Sequence, residues 1–129
     1  MKKIITSNPT LEDKIGFSRA CRIGDIISVS GTAPIKNGVT AFVGDLYQQT
    51  KLCIEISTAA ILEAGGNMND VIRTRILLTD ISQWEAAARA HGETFSTIKP
   101  ACTFVEVKGF INNDWLVETE MDCVINTKF

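Results

Sequence analysis

Apolar and polar residues alternate along six stretches of the chain, a spacing typical of β-strands that bury one face and expose the other. These stretches cover residues 3–6, 19–23, 26–30, 71–80, 103–107 and 115–125. Gly24 and Asp25 separate the second stretch from the third and predict a tight hairpin turn, because both residues tolerate positive φ. Residues 31–44 contain Pro34 and the turn signal Asn37-Gly38, and are predicted to form a loop.

Residues 45–64 show helical periodicity instead and are predicted to form a long helix. Asp45 can cap its first turn, with Gln48 three residues later, and Gly65-Gly66 ends the helix. One apolar stripe contains Leu46, Cys53, Ala60 and Ala64. Leu52 and Leu62 lie outside that stripe, which predicts either contact with another subunit or packing beneath a loop.

Residues 82–96 are predicted to form a second helix, opened by a capping box of Ser82 and Glu85 and ended by Lys99-Pro100. Its apolar stripe contains Trp84, Ala87, Ala88, His91 and Phe95. Because His91 lies on this stripe, a hydrogen-bonded core or interface histidine is favoured over a catalytic base. The element order β-β-β-α-β-α-β-β is most simply met by a mixed sheet with two helices packed on one face. The other face then needs polar residues or a partner.

Length and charge narrow the class of protein. The 129 residues are enough for one domain, residues 1–129, and too few for two. A net charge of −2 without a basic cluster argues against nucleic acid as a partner. No apolar run approaches the ~20 residues of a membrane span, and the first residues do not resemble a signal peptide. We therefore expect cytoplasmic residence and no membrane partner.

The four cysteines are Cys21, Cys53, Cys102 and Cys123. No two of them form a C-x-x-C pair, and the single histidine is distant from each in sequence, so the spacing of a metal site is absent. The sequence predicts free thiols rather than disulfides.

Carboxylates on the last predicted strand are the first candidates for chemistry. Glu118, Glu120 and Asp122 lie on one face of that strand, ~6.7 Å apart along it. Neighbouring carboxylates raise one another's pKa, which suits a general acid or base. The alternative is a salt-bridged face with Arg73 and Arg75 as partners, and we favour that alternative for two of the three acids.

Four motifs together resemble the RidA family, also called the YjgF or endoribonuclease L-PSP family. They are GFSRACRIGDIISVSGTAP (16–34), LEAGGNMNDVIRTRILLTDISQW (62–84), KPACTFVEV (99–107) and LVETEMDCVI (116–125), within a match over about residues 15–125. The resemblance implies an α/β (α+β), chorismate-mutase-like fold, a homotrimer, and small-molecule clefts between adjacent subunits. Active members are deaminases that hydrolyse enamines and imines to 2-keto acids and ammonia, with no metal or cofactor.

The resemblance also assigns site residues. Glu118 corresponds to the glutamate that positions the attacking water. Phe17 stands at the position of a tyrosine, and Cys102 stands where an arginine holds the substrate carboxylate. Ser30, Gly31 and Glu120 complete the expected substrate contacts, together with Phe17 and Cys102.

Cys102 separates this sequence from the usual deaminase. A thiol cannot make the charged, bidentate contact of a guanidinium, so we expect weak activity on 2-imino acids and assign the chain to an arginine-lacking branch. Whether Arg19, Arg73 or Arg75 replaces the missing arginine is open. Two functions remain: hydrolysis at a C=N bond in a cleft between subunits, with Glu118 as the base that activates water, or a non-catalytic, regulatory trimer that binds a small metabolite or a protein partner. Ribonuclease activity ranks third, because the chain lacks a basic surface.

Overall fold

The computed structural model describes residues 1–126, which form a six-stranded sheet, three α-helices and a small separate hairpin. The strands are β1 (Lys2–Ile5), β2 (Ala20–Ile23), β3 (Ile26–Thr32), β4 (Ile35–Lys36), β5 (Val39–Thr40), β6 (Val71–Leu78), β7 (Ala101–Glu106) and β8 (Val117–Val124). The α-helices are α1 (Pro9–Ile15), α2 (Leu46–Glu63) and α3 (Trp84–Phe95). The sheet order is β1-β2-β3-β8-β6-β7; only β6 and β7 pair in parallel. The fold is therefore mixed α+β with a mostly antiparallel sheet.

Strand β8 lies in the middle of the sheet and shows the predicted alternation. Val117, Thr119, Met121 and Cys123 are fully buried, whereas the intervening acids are only partly buried. Residues of α2 and α3 share the core clusters with the buried β8 residues, so both helices cover this face. We call the opposite side, which carries Glu118, Glu120 and Asp122, the open face.

Helix α2 begins and ends as predicted. The Asp45 side chain accepts a hydrogen bond from the Gln48 amide at 3.0 Å, and Gly65 takes a positive φ of 94° after the last turn. The two apolar residues outside the predicted stripe differ in burial. Leu52 is buried and Leu62 is exposed, while α3 packs alongside α2. The exposed Leu62 leaves the contact of α2 with another subunit a prediction.

The expectation of two helices is wrong, because α1 is a third. Asn8 caps it by accepting from the Leu11 amide, Pro9 occupies its first turn, and Gly16 ends it in the left-handed conformation. These signals are in the sequence, but seven residues are too few to show a helical stripe. Residues 31–44 also differ from a simple loop, since β4 and β5 form a hairpin across the predicted Asn37-Gly38 turn.

The predicted alternation fails at the start of β6, and the predicted Ser82 cap of the next helix is also wrong. A register shift between Val71 and Arg73 exchanges the faces there, so Val71 is 3% exposed and Ile72 is 52% exposed, the reverse of simple alternation. Beyond the strand, Asp80 rather than Ser82 provides the cap. Its carboxylate accepts from the Ser82 amide at 3.0 Å and a short 3₁₀ turn, Ile81–Gln83, precedes α3.

The four cysteines are free thiols, as predicted. Cys53 and Cys123 are buried, Cys21 is partly buried and Cys102 is exposed. No helix within residues 1–126 is both long and apolar enough to cross a membrane.

Glu12 of α1 is a buried carboxylate surrounded by donors. It is 3% exposed, and it accepts hydrogen bonds from the Thr6 hydroxyl, from the Ser7 and Asn8 amides at 2.9 Å each, and from the Ser7 hydroxyl at 3.1 Å. Burial raises the pKa of Glu12, but these hydrogen bonds outweigh burial and lower its pKa from 4.5 to about 2. The ionised carboxylate thus ties the β1–α1 connection to α1.

We expect Glu12→Gln to destabilise the protein at pH 7 by on the order of 2 kcal/mol, because charge-assisted hydrogen bonds are lost. Since the folded pKa is depressed, the stabilisation by Glu12 is present above pH 4.5 and is lost as the pH falls toward 2. The difference in unfolding free energy between wild type and Glu12→Gln should therefore shrink between pH 5 and pH 3, as measured by urea denaturation. The exposed neighbour Asp13→Asn is the control; a difference independent of pH would contradict this role of Glu12.

Candidate functional site

Two of the three acids on the open face are paired with arginine, as favoured from the sequence. Arg75 Nη1 lies 3.0 Å from Asp122 Oδ2 and 3.9 Å from Glu120 Oε1. Asp122 also accepts from the Ser28 hydroxyl at 3.0 Å. Arg73 takes a different partner and donates to the Thr103 hydroxyl at 2.5 Å. Glu118 is the acid left outside this network of ion pairs.

A bulge in β3 lies beside the Glu118 carboxylate. Val29 pairs with Met121 and Thr32 pairs with Thr119, so Ser30 and Gly31 together lie opposite Glu120 of β8. A Cβ atom built on Gly31 would lie 3.0 Å from Glu118 Oε1. The absence of a side chain at Gly31 therefore leaves the space in which the Glu118 carboxylate sits.

The segment before β2 lies against the same bulge. The Ser30 amide donates to the Arg19 carbonyl at 3.0 Å, and the Ser30 hydroxyl donates to the Ser18 carbonyl at 2.6 Å. Arg19 Nη2 donates to the Gly31 carbonyl at 2.5 Å. Phe17 precedes Ser18, so the structure brings the Phe17 segment, Ser30, Gly31 and Glu118 into one region.

The surroundings of Glu118 favour a carboxyl group that can exchange a proton. Burial raises its pKa, the Arg19 charge lowers it, and the neighbouring Glu120 raises it again. The net effect is a pKa above the ordinary value of 4.5. A partly buried carboxylate with a raised pKa is better suited to accept a proton from water than an ordinary surface glutamate.

Cys102 lies elsewhere in the chain. It pairs with Thr74 across β6–β7, and its strand neighbour Phe104 contacts Trp84 and His91 of α3 with ring centroids 6.1 Å apart in each case. By strand alternation Cys102 is on the side of the sheet that the helices cover, although it is exposed at the strand end. Glu118 is on the open face, so one chain does not bring these two expected site residues together.

His91 has the role that the sequence favoured. Its Nε2 atom lies 2.8 Å from the Thr74 hydroxyl, and its ring stacks against Phe95 at a tilt. Burial lowers the pKa of His91, so the neutral ring predominates at neutral pH. It is a hydrogen-bonded histidine of the helix–sheet interface.

Within residues 1–126, no three His, Cys, Asp or Glu side chains are grouped so that they could hold a metal ion. Two shallow hollows of the surface lie away from Glu118. One is lined by Cys21, Ile23, Ile26 and Ser28 on the open face, and the other by Asn67, Asn69, Asp70 and Asn126.

Sequence reasoning missed Glu12 entirely and considered Arg19 only as a replacement for the missing arginine. Both depend on tertiary contacts. The single available signal for Arg19 was its position at the start of a predicted hairpin strand, across from the Ser30-Gly31 end of the other strand.

Gly31→Ala should displace the Glu118 carboxylate while leaving the fold intact. The added methyl group meets only the flexible end of Glu118, so the loss of stability should stay below the roughly 1–3 kcal/mol of an overpacked core. The ¹³C signal of the Glu118 carboxyl group should shift, whereas urea denaturation should change little. Gly109→Ala, where a Cβ meets nothing within 4 Å, is the matched control. An unchanged Glu118 signal in Gly31→Ala would show that the two groups are not in contact.

Comparison with known proteins gives one family. Residues 9–125 match the endoribonuclease L-PSP family. SCO2049 of Streptomyces coelicolor is 36% identical over 118 residues, covering 92% of this chain and 88% of the relative. The 3-aminoacrylate deaminase RutC of Acinetobacter baylyi is 30% identical over 118 residues, covering 91% and 93%.

A solved structure agrees with this assignment. The crystal structure of Rv2704 from Mycobacterium tuberculosis, a member of the YjgF/YER057c/UK114 family, superposes with a TM-score of 0.87 at 34% identity. The superposition covers 97% of this chain and all of Rv2704. The chain therefore belongs to the endoribonuclease L-PSP family, the family also known as RidA or YjgF.

Proposed function

We propose that the protein is a hydrolase of small imines or enamines, a single-domain homotrimer that needs no cofactor and uses Glu118 as the base that activates water. The observation that carries the proposal is the state of Glu118. It is the acid outside the Arg75 network, it is partly buried, and its pKa is raised. The 30% identical relative named as a deaminase supports the same type of reaction.

The proposed reaction needs only water and one carboxylate. Glu118 accepts a proton from water while the water oxygen forms a bond to the carbon of the C=N group, and the π electron pair moves to nitrogen, which takes a proton from solvent. The carbinolamine then collapses: its hydroxyl proton passes to solvent, the C=O bond forms as the C–N bond breaks, and Glu118 returns its proton to the departing nitrogen. The products are a carbonyl compound and ammonia, and Glu118 is again ionised.

The geometry supports a site between copies of the chain. Glu118 and Cys102 lie on opposite sides of one sheet, so a cleft that contains both positions requires a second copy. The open face also carries an exposed apolar patch of Ile23, Ile26 and Val124, which neighbour one another through strand pairing. A second copy packed against this face would bury the patch. This patch supports the proposed homotrimer, in addition to the exposed Leu62 of α2.

The charges favour an uncharged substrate. Cys102 supplies no cation, Arg75 is engaged by Asp122 and Glu120, and Arg73 is hydrogen-bonded to Thr103. We assign the protein to an arginine-lacking branch of the family that acts on uncharged imines or enamines in preference to 2-imino acids. We place it in the cytoplasm; a 28% identical relative in Schizosaccharomyces pombe is named as mitochondrial.

A second candidate function follows from the same absence of an anchor. A trimer that has lost the carboxylate contact can bind a small metabolite, or act as a regulatory protein, without turning the metabolite over. Turnover by the purified protein distinguishes the two.

Wild-type protein should accelerate ammonia release from an uncharged imine that an amine oxidase generates in the assay. Glu118→Gln should lower this rate by about 10²- to 10⁴-fold, because the amide cannot accept the proton. Glu55→Gln, an exposed glutamate on α2, should retain wild-type activity.

In a parallel assay, the matching 2-imino acid generated by an amino-acid oxidase should react with lower catalytic efficiency than the uncharged imine. The proposal fails if Glu118→Gln retains full activity. Faster turnover of the 2-imino acid would show that another group anchors the carboxylate. Binding without any turnover would favour the second candidate.

A further inference from the structure

Arg19 is fixed in place from several directions. Its amide donates to the Ile5 carbonyl at 2.8 Å, and its carbonyl accepts from the Ser30 amide at 3.0 Å. Its side chain reaches the Gly31 carbonyl through Nη2. The Nε atom is buried and has no hydrogen-bond partner within residues 1–126. The hydrogen bond from Nη2 to the Gly31 carbonyl thus holds the guanidinium beside the bulge.

The groups that face Arg19 are two carboxylates and a thiol. Burial lowers the pKa of Arg19, while the charges of Glu12 and Glu118 and the nearby Cys53 oppose that effect. An arginine remains charged in a protein even so. Glu12 is ionised at neutral pH because its pKa is about 2. Burial raises the pKa of the Cys53 thiol far above its ordinary value, so this thiol stays neutral.

Arg19 is poorly suited to replace the missing carboxylate anchor. A substrate cannot reach the buried Nε, and Nη2 is already bonded to Gly31. The positive charge is also shared by two carboxylates of the protein itself. The side-on bidentate contact, which uses Nε and Nη2 together, is therefore closed to a ligand carboxylate. The cation therefore acts on the protein's own acids.

We propose that Arg19 is the positioning residue for Glu118: the guanidinium, held at the Gly31 carbonyl, keeps the Glu118 carboxylate in place beside the bulge. Gly31 lies next to both side chains. Its carbonyl accepts a hydrogen bond from Arg19, and the absence of a Cβ atom leaves space for the Glu118 carboxylate. Burial and Glu120 favour the protonated acid, which cannot activate water. The charge of Arg19 opposes both effects on Glu118, and the charge of Glu12 in turn favours the charged form of Arg19.

This inference rests on the proposed function for its catalytic meaning, but its test does not. The titration of the Glu118 carboxyl carbon by ¹³C NMR reports the charge state directly. Arg19→Gln should move the midpoint of this titration to higher pH, and Arg19→Lys, which keeps a positive charge, should return it toward the wild-type midpoint. Arg73→Gln also removes one positive charge from the open face, but Arg73 donates to the Thr103 hydroxyl and not to Gly31. It is the matched control and should move the midpoint less than Arg19→Gln.

A second measurement does not depend on whether Arg19→Gln folds. In Glu118→Gln, the Nε–H signal of Arg19 should shift relative to wild type, because the facing charge is gone. An unchanged Arg19 signal there would overturn the inference, as would an unchanged or lowered Glu118 midpoint in a folded Arg19→Gln. If both signals shift but no imine is hydrolysed, the Arg19 inference stands and the proposed function fails.

Discussion

Strand β8 is paired on both sides, with β3 and with β6, and this double pairing determines which side chains face the helices. Val117, Thr119, Met121 and Cys123 enter the core beneath α2 and α3. A slip of one residue would instead turn three carboxylates into that core, at a cost of several kcal/mol for each buried charge. The hydrophobic effect on one face thus fixes Glu118, Glu120 and Asp122 on the other.

The pairing of β8 explains where the acids lie, and their neighbours explain why they differ. All three lie beside β6, where Glu120 and Asp122 share Arg75 and Glu118 pairs with Leu77. Glu118 lies near the β3 bulge, where Gly31 has no side chain and Arg19 approaches from the start of β2. One acid of three is consequently separated from the surface ion pairs and placed among buried groups, where proton affinity is set by a few neighbours.

Much of the sheet could be predicted because its signals are local. The alternation in β8, the Gly24-Asp25 hairpin and the Asp45 cap are each read from a few adjacent residues. The family resemblance added the site residues, but it could not show that Cys102 and Glu118 lie on opposite sides of the sheet. That placement depends on the order of the strands.

Other features could not be predicted from the sequence, for reasons that differ from one feature to the next. Helix α1 is too short for a periodic stripe and shows only its caps. The bulges at Ser30-Gly31 and at Val71–Arg73 arise from pairing with β8, which is distant in sequence. The environment of Glu12 depends on hydroxyl groups and backbone amides of the preceding loop. Backbone amides are common to all residues except proline, so the sequence does not indicate which of them bind Glu12.

We propose that the Glu118 region of one chain is completed by the Cys102 edge of another, and a nitroxide on Cys102 tests this arrangement directly. Chains spin-labelled at Cys102, in a Cys21→Ser background, would be mixed with ¹⁵N-labelled chains that carry Cys21→Ser and Cys102→Ser. Every paramagnetic effect on the ¹⁵N signals then comes from a neighbouring chain. The account predicts that the amide signals of Gly31 and Glu118 lose intensity and recover when the nitroxide is reduced, while the signal of Glu55 on α2 changes less. Undiminished Gly31 and Glu118 signals in a verified mixed assembly would contradict it.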